Sequence, residues 1–173
     1  SRDIIGFRNK GASTMNDKYA LLIPTFPLFR GFTVDGAHML LDSGEVKELS
    51  PGVMLITEGD GATFVLLVLA GKLEVFVERD GRDLVLNEAG PGTILGELAV
   101  LCGIPRSASV RAIEDSAILQ WSAAAFRSLL LQNVSLSERI FRASLRTLIE
   151  KEHSLIESLV RSQAKLKERI TET

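Results

Sequence analysis

An α+β protein built on an antiparallel β roll or barrel is what this 173-residue sequence predicts, from three observations. Between residues 45 and 121, short segments rich in Val, Leu and Ile alternate with Gly, Pro and Asp turn signals. On both sides of that stretch the apolar spacing is helical, and from about Ser137 to Ile170 neither Gly nor Pro occurs. The composition, 46% apolar and 24% charged, suffices for one compact core with an appendage.

The elements follow in chain order. Residues 1–16 mix Gly, Ser, Asn, Lys and Arg without apolar periodicity and are expected to form a flexible N-terminal segment. Ser1 is not an initiator, so earlier residues are expected to have been lost. A short helix is expected from Asp17 to Leu22, punctuated by Pro24 and Pro27. Thr33 is placed to cap a second helix that runs to Leu41. Strands are then predicted at Glu45–Leu49, Val53–Thr57, Thr63–Leu69, Lys72–Glu78, Asp83–Asn87, Ser107–Ala112 and Ala117–Trp121. Leu73, Val75 and Val77 alternate with Lys72, Glu74 and Phe76, which gives that strand two unlike faces. Asp80-Gly81 beyond it is a hairpin signal.

Ser122 to Leu131 reads as a helix with Phe126, Leu129 and Leu130 inward, and Asn133 interrupts it. The Gly- and Pro-free stretch beyond is one helix, roughly 50 Å long at ~1.5 Å per residue. Along it Leu145, Ile149, Glu152, Ile156, Leu159, Gln163, Leu166 and Ile170 recur at alternating spacings of four and three. That is a two-stranded coiled-coil stripe, and a parallel homodimer is its natural reading; the alternative is that the stripe packs back on its own roll. Three segments result: 1–16, a domain over 17–131, and the long helix over 132–173.

Several classes are disfavoured. A net charge of −2 gives no whole-molecule attraction to nucleic acid or anionic lipid. The single cysteine, Cys102, rules out an internal disulfide, and with His38 and His153 alone beside it no metal cluster is expected. The longest apolar run, Phe64 to Ala70, is too short to cross a bilayer, and no export signal opens the chain, so a cytoplasmic location is expected. No catalytic constellation is recognisable, so the protein is read as a non-enzyme. His153, Cys102 and Trp121 read as structural.

The chemistry is concentrated in GELAVLCGIPRSASV, residues 96–110. Gly96 permits close backbone approach, and Glu97 to Leu101 can form a helical turn whose first N–H groups lack internal acceptors, which suits a phosphate. Pro105 ends the loop and positions Arg106, whose planar guanidinium can make paired bonds to two phosphate oxygens, with Ser107 as a further donor. A carboxylate at Glu97 would repel a bare phosphate, so it suits a sugar hydroxyl that donates to it. Together they specify ribose plus phosphate.

This segment resembles the phosphate-binding cassette of cyclic-nucleotide-binding domains, the family of catabolite activator proteins and kinase regulatory subunits. The likeness runs from about Leu28 to Leu131, through PLFRGF, Pro51-Gly52, the EGD of residues 58–60, Gly71 and Gly92. It implies an eight-stranded antiparallel jelly roll with short N-terminal helices, a hinge helix and a long C-terminal dimerisation helix. It further implies that Glu97 holds the ribose 2′-hydroxyl and Arg106 the cyclic phosphate of cyclic AMP or cyclic GMP. The N–H groups of Leu98 and Ala99, with Gly96, Ser107 and Ala108, complete the cage, and Val75 and Leu86 line the base. Leu148, Lys151 and Glu152 on the long helix are candidates for a lid.

Unlike the bacterial activators, this sequence continues into no helix-turn-helix after that helix, and no direct DNA binding, membrane partner, metal or other cofactor is expected. The output would pass to an effector protein not identifiable from the sequence. Two rivals are a ligand-free jelly-roll scaffold serving as a dimerisation module and, on the same scaffold, a cupin metalloenzyme. The cupin needs strand histidines, and neither histidine falls on a predicted strand.

Overall fold

The computed structural model describes residues 10–171, with side chains described over 15–164. The chain divides into two units after Asn133, and each is taken by itself. Residues 1–9 of the expected flexible segment lie outside the described residues.

In the first unit, α1 (Lys10–Leu22) starts seven residues before the expected Asp17. Its last turn is anchored by buried Tyr19 and Ala20, and once a helix has such a nucleus, propagation into a polar stretch is cheap. Two 3-10 turns, at Ile23–Thr25 and Pro27–Phe29, follow the prolines. Thr33 caps α2 (Val34–Asp42), its side-chain oxygen accepting from the Gly36 N–H at 3.1 Å. Ala37, Leu40 and Leu41 form the buried stripe of α2.

Eight antiparallel strands follow: β1 (Glu45–Leu49), β2 (Met54–Ile56), β3 (Phe64–Ala70), β4 (Leu73–Arg79), β5 (Arg82–Ala89), β6 (Ile94–Leu95), β7 (Ser109–Ala112) and β8 (Ser116–Ser122). They form two four-stranded sheets in the orders β1-β8-β3-β6 and β2-β7-β4-β5, the jelly roll that the family resemblance implied. Seven of the eight fall on segments marked by composition. The eighth, β6, is two residues long and offers no periodicity to read. Core residues come from both sheets: Ile56, Val75 and Val110 from one, Leu66, Val68 and Ile118 from the other. Burial on this scale, at roughly 25 cal/mol per Å² of apolar surface, is the dominant stabilising contribution.

The β4–β5 hairpin closes through Asp80 and Gly81, with φ of 53° and 71° respectively, between paired Arg79 and Arg82. Two successive positive φ values are the backbone that Asp-Gly favours in a two-residue turn. Trp121 is fully buried, and its indole N–H donates to Ser43 Oγ (2.9 Å) and to the Leu40 carbonyl (3.2 Å), tying β8 to the end of α2. Its structural role in the sequence reading is therefore met. Ser122 caps α4 (Ala123–Gln132), which buries Phe126 and Leu130, and Asn133 ends it.

The second unit is α5 (Val134–Thr171), a single helix of 38 residues. Leu145, Ile149, Ile156 and Leu159 of the apolar stripe are each at least half exposed. The side chains of Leu166 and Ile170 fall outside the described residues. No helix among the described residues is long and apolar enough to cross a membrane.

Candidate functional site

After β5 the chain turns at Gly90 to Gly92, where Gly92 N donates to the Val68 carbonyl (2.8 Å) and Val68 N to that of Thr93 (2.9 Å). These bonds pin β6 against β3, so Gly96 emerges at a fixed place. Gly96 has φ +82° and ψ 5°, a left-handed conformation, and serves as N-cap of α3 (Glu97–Cys102). Its carbonyl accepts the Val100 N–H at 3.4 Å, so the N–H groups of Glu97, Leu98 and Ala99 precede the first intrahelical bond. Ala99 and Val100 are buried, whereas Glu97 and Leu98 are partly exposed. Gly103, at φ +65°, ends the helix.

Arg106 lies in the loop before β7 and is only 4% exposed. Its main chain is clamped by the EGD turn: Arg106 N donates to the Asp60 carbonyl and Gly59 N to the Arg106 carbonyl, both at 2.9 Å. The turn is itself held by Ser109 Oγ, which accepts the Glu58 N–H at 2.9 Å, and by Arg79, whose Nη1 and Nη2 donate to the two Glu58 carboxylate oxygens at 2.9 and 2.8 Å. The EGD motif is thus a backbone bracket for the arginine.

The Arg106 side chain turns inward. Nη1 donates to the Gly96 carbonyl (2.9 Å), Nη2 to the Phe64 carbonyl (2.6 Å), and its Cζ stands 4.8 Å from the centre of the Phe64 ring. The sequence predicts that the guanidinium can make paired bonds to two phosphate oxygens; in the structure both terminal nitrogens are bonded within the protein. Here each gives one N–H to a carbonyl, because a buried guanidinium needs acceptors. A guanidinium carries five N–H donors, so the two bonds leave capacity for a phosphate. Burial pushes its pKa down, and the nearby Asp60 and Glu97 carboxylates oppose that shift. The site is therefore of mixed charge, since Asp60 stands with Glu97 in the field of the arginine.

Gly96, Glu97, Leu98, Ala99 and Arg106 thus come together. Ser107 is exposed and Ala108 partly buried, both in the loop, since β7 starts at Ser109 instead of Ser107. Val75 is 9% exposed and belongs to the core-facing side of β4. Leu86 is different. The pairs Val75 with Asn87 and Phe76 with Val85 leave it as the unpaired extra residue of a β-bulge, 50% exposed on an edge strand. Leu148, Lys151 and Glu152 all lie on α5, the separate unit.

Sequence reasoning missed Phe64, which no local motif marks, and Ser109, which lies within the quoted segment but whose bond to Glu58 depends on where β7 sits. It also missed Arg127 on α4, whose Nη2 donates to the Val100 carbonyl at 2.6 Å and so ties that helix to the C-terminal end of α3. A cavity of about 400 Å³ lies elsewhere, lined in part by Lys18, Glu48, Ser50 and Asp115, with no residue of the cassette. Among the described residues no group of three or more His, Cys, Asp or Glu is placed to hold a metal, and His38 and His153 both lie on helices.

The family model of the cyclic nucleotide-binding domain matches residues 46–133. The cAMP-dependent protein kinase regulatory subunit of Blastocladiella emersonii is 29% identical over 119 residues, 68% of this chain and 30% of that protein. The chain therefore spans less than a third of that relative's length. The catabolite activator protein of Thermus thermophilus superposes with a TM-score of 0.67 at 26% identity, covering 75% of this chain and 61% of that one. A variant of the cAMP-binding acyltransferase from Mycobacterium smegmatis does so with a TM-score of 0.61 at 27% identity, covering 75% and 40%.

Proposed function

Because the chain belongs to the cyclic nucleotide-binding domain family, we propose that it is a cytoplasmic, non-enzymatic sensor whose ligand is cyclic AMP and whose output passes through its C-terminal helix. The observation that carries this reading is the buried Arg106 guanidinium bonded to the Gly96 carbonyl at the head of α3, with Glu97 within its electrostatic reach. A phosphate meets the arginine and the turn, and a ribose hydroxyl donates to the carboxylate. Two of the relatives named above are called cAMP-dependent or cAMP-binding, which favours cyclic AMP over cyclic GMP.

Calorimetric titration with each nucleotide tests the proposal. Saturable binding of one molecule per chain is expected, tighter for cyclic AMP; no heat with either nucleotide would leave the ligand-free scaffold as the reading. Glu97→Gln keeps an acceptor but removes the charge from a hydroxyl–carboxylate bond, so affinity is expected to fall about three- to tenfold in the same titration.

For output, ligand must bind one arrangement of the hinge and long helices better than another, and the shift cannot exceed that difference in affinity. Leu148, Lys151 and Glu152 are proposed as the residues that close over the base. The exposed stripe from Leu145 to Leu159 is proposed to pair with a second copy, which sedimentation velocity reads directly: a monomer at tens of micromolar would discard the dimer.

A further inference from the structure

Phe64, the first residue of β3, serves one cation twice. Its carbonyl accepts from Arg106 Nη2, and its ring faces the same guanidinium, while the partly buried side chain packs against the core cluster. A guanidinium taken out of water loses hydration that two carbonyl bonds replace only in part, and burial is the dominant cause of the lowered Arg106 pKa. Without further support this side chain would rotate into solvent, and each binding event would have to bring it back. The negative face of an aromatic ring supplies such support where water is excluded.

We propose that Phe64 is a positioning residue for the phosphate site: its ring keeps the Arg106 guanidinium inside the protein and bonded to the Gly96 and Phe64 carbonyls before ligand arrives. This rests on the reading of Arg106 as the phosphate ligand. Because the ring contact persists with or without phosphate, its effect on affinity is preorganisation, not a new bond to ligand. A control is built into the fold. Arg111 lies over the Phe76 ring at 4.2 Å, but its Nε and Nη1 donate to Glu74 and Asp83, so that arginine is fixed by carboxylates whatever its ring does.

The test replaces Phe64, and separately Phe76, with mono-, di- and trifluorophenylalanine, which drain the ring face while nearly preserving shape, and titrates each with cyclic AMP. At position 64 the dissociation constant is expected to rise stepwise with fluorine count, by roughly three- to thirtyfold in all, with Phe64→Leu at the far end of the series. At position 76 it is expected to stay within about twofold. A flat series at 64, or equal slopes at both positions, overturns the proposal, since a purely space-filling ring does not respond to fluorination. If the parent protein binds no cyclic nucleotide, it is the reading of the site that falls, and the two failures are distinguishable.

Discussion

Arg106→Ala is expected to lower affinity for cyclic AMP by roughly thirty- to a thousandfold, about 2–4 kcal/mol. The loss has two parts. Charge-assisted bonds to the phosphate disappear, and the phosphate charge is left facing Asp60 and Glu97 in a site without its cation. The effect on folding is smaller, because opposing contributions meet: the Gly96 and Phe64 carbonyls lose their donors, but a buried charge is no longer desolvated. Affinity and stability should therefore separate, the first collapsing while thermal unfolding moves little. Arg106→Lys sharpens the point. A lysine keeps the charge, yet cannot span two carbonyls and a phosphate from one planar group, so recovery should be only partial. Binding by Arg106→Ala as tight as the parent's would remove the arginine from the site and the proposed function with it.

What could be read in advance depended on whether the signal was local. Asp80-Gly81 announced its hairpin because the turn is decided by the two residues in it, and Thr33 and Asn133 marked helix ends for the same reason. The cassette was legible because Gly96, Glu97 and Arg106 lie within one short loop-helix-loop. Phe64 and Arg106 are 42 positions apart, and their contact exists only once β3 and the cassette share one end of the roll. Leu86 marks the other limit: the resemblance gives it as a base-lining position, and no feature of RDLVLNEA declares the bulge that leaves it unpaired. The inward turn of Arg106 was equally unreadable, since it depends on where two carbonyls come to rest.

Gly96→Ala separates the two demands placed on a single glycine. Its φ of +82° costs any L-residue about 1–2 kcal/mol. A Cβ there would also clash with Arg106 Nη1, closer than atoms can stand, and would crowd its Cζ at 3.2 Å. The arginine tip is flexible and can retreat, so the chain should still fold, but retreat takes the guanidinium off the Gly96 carbonyl and out of the phosphate's reach. Cyclic AMP affinity is then expected to fall nearly as far as in Arg106→Ala, roughly thirtyfold or more, on the calorimetric readout. Gly103→Ala isolates the backbone contribution. Gly103 ends the same helix at φ +65°, and a Cβ there would meet nothing within 4 Å, so it should show a similar loss of stability with affinity within about threefold. Equal affinities for the two variants would mean that the close approach of Gly96 to Arg106 is incidental to binding, and that the cassette needs glycine at its head for chain direction alone.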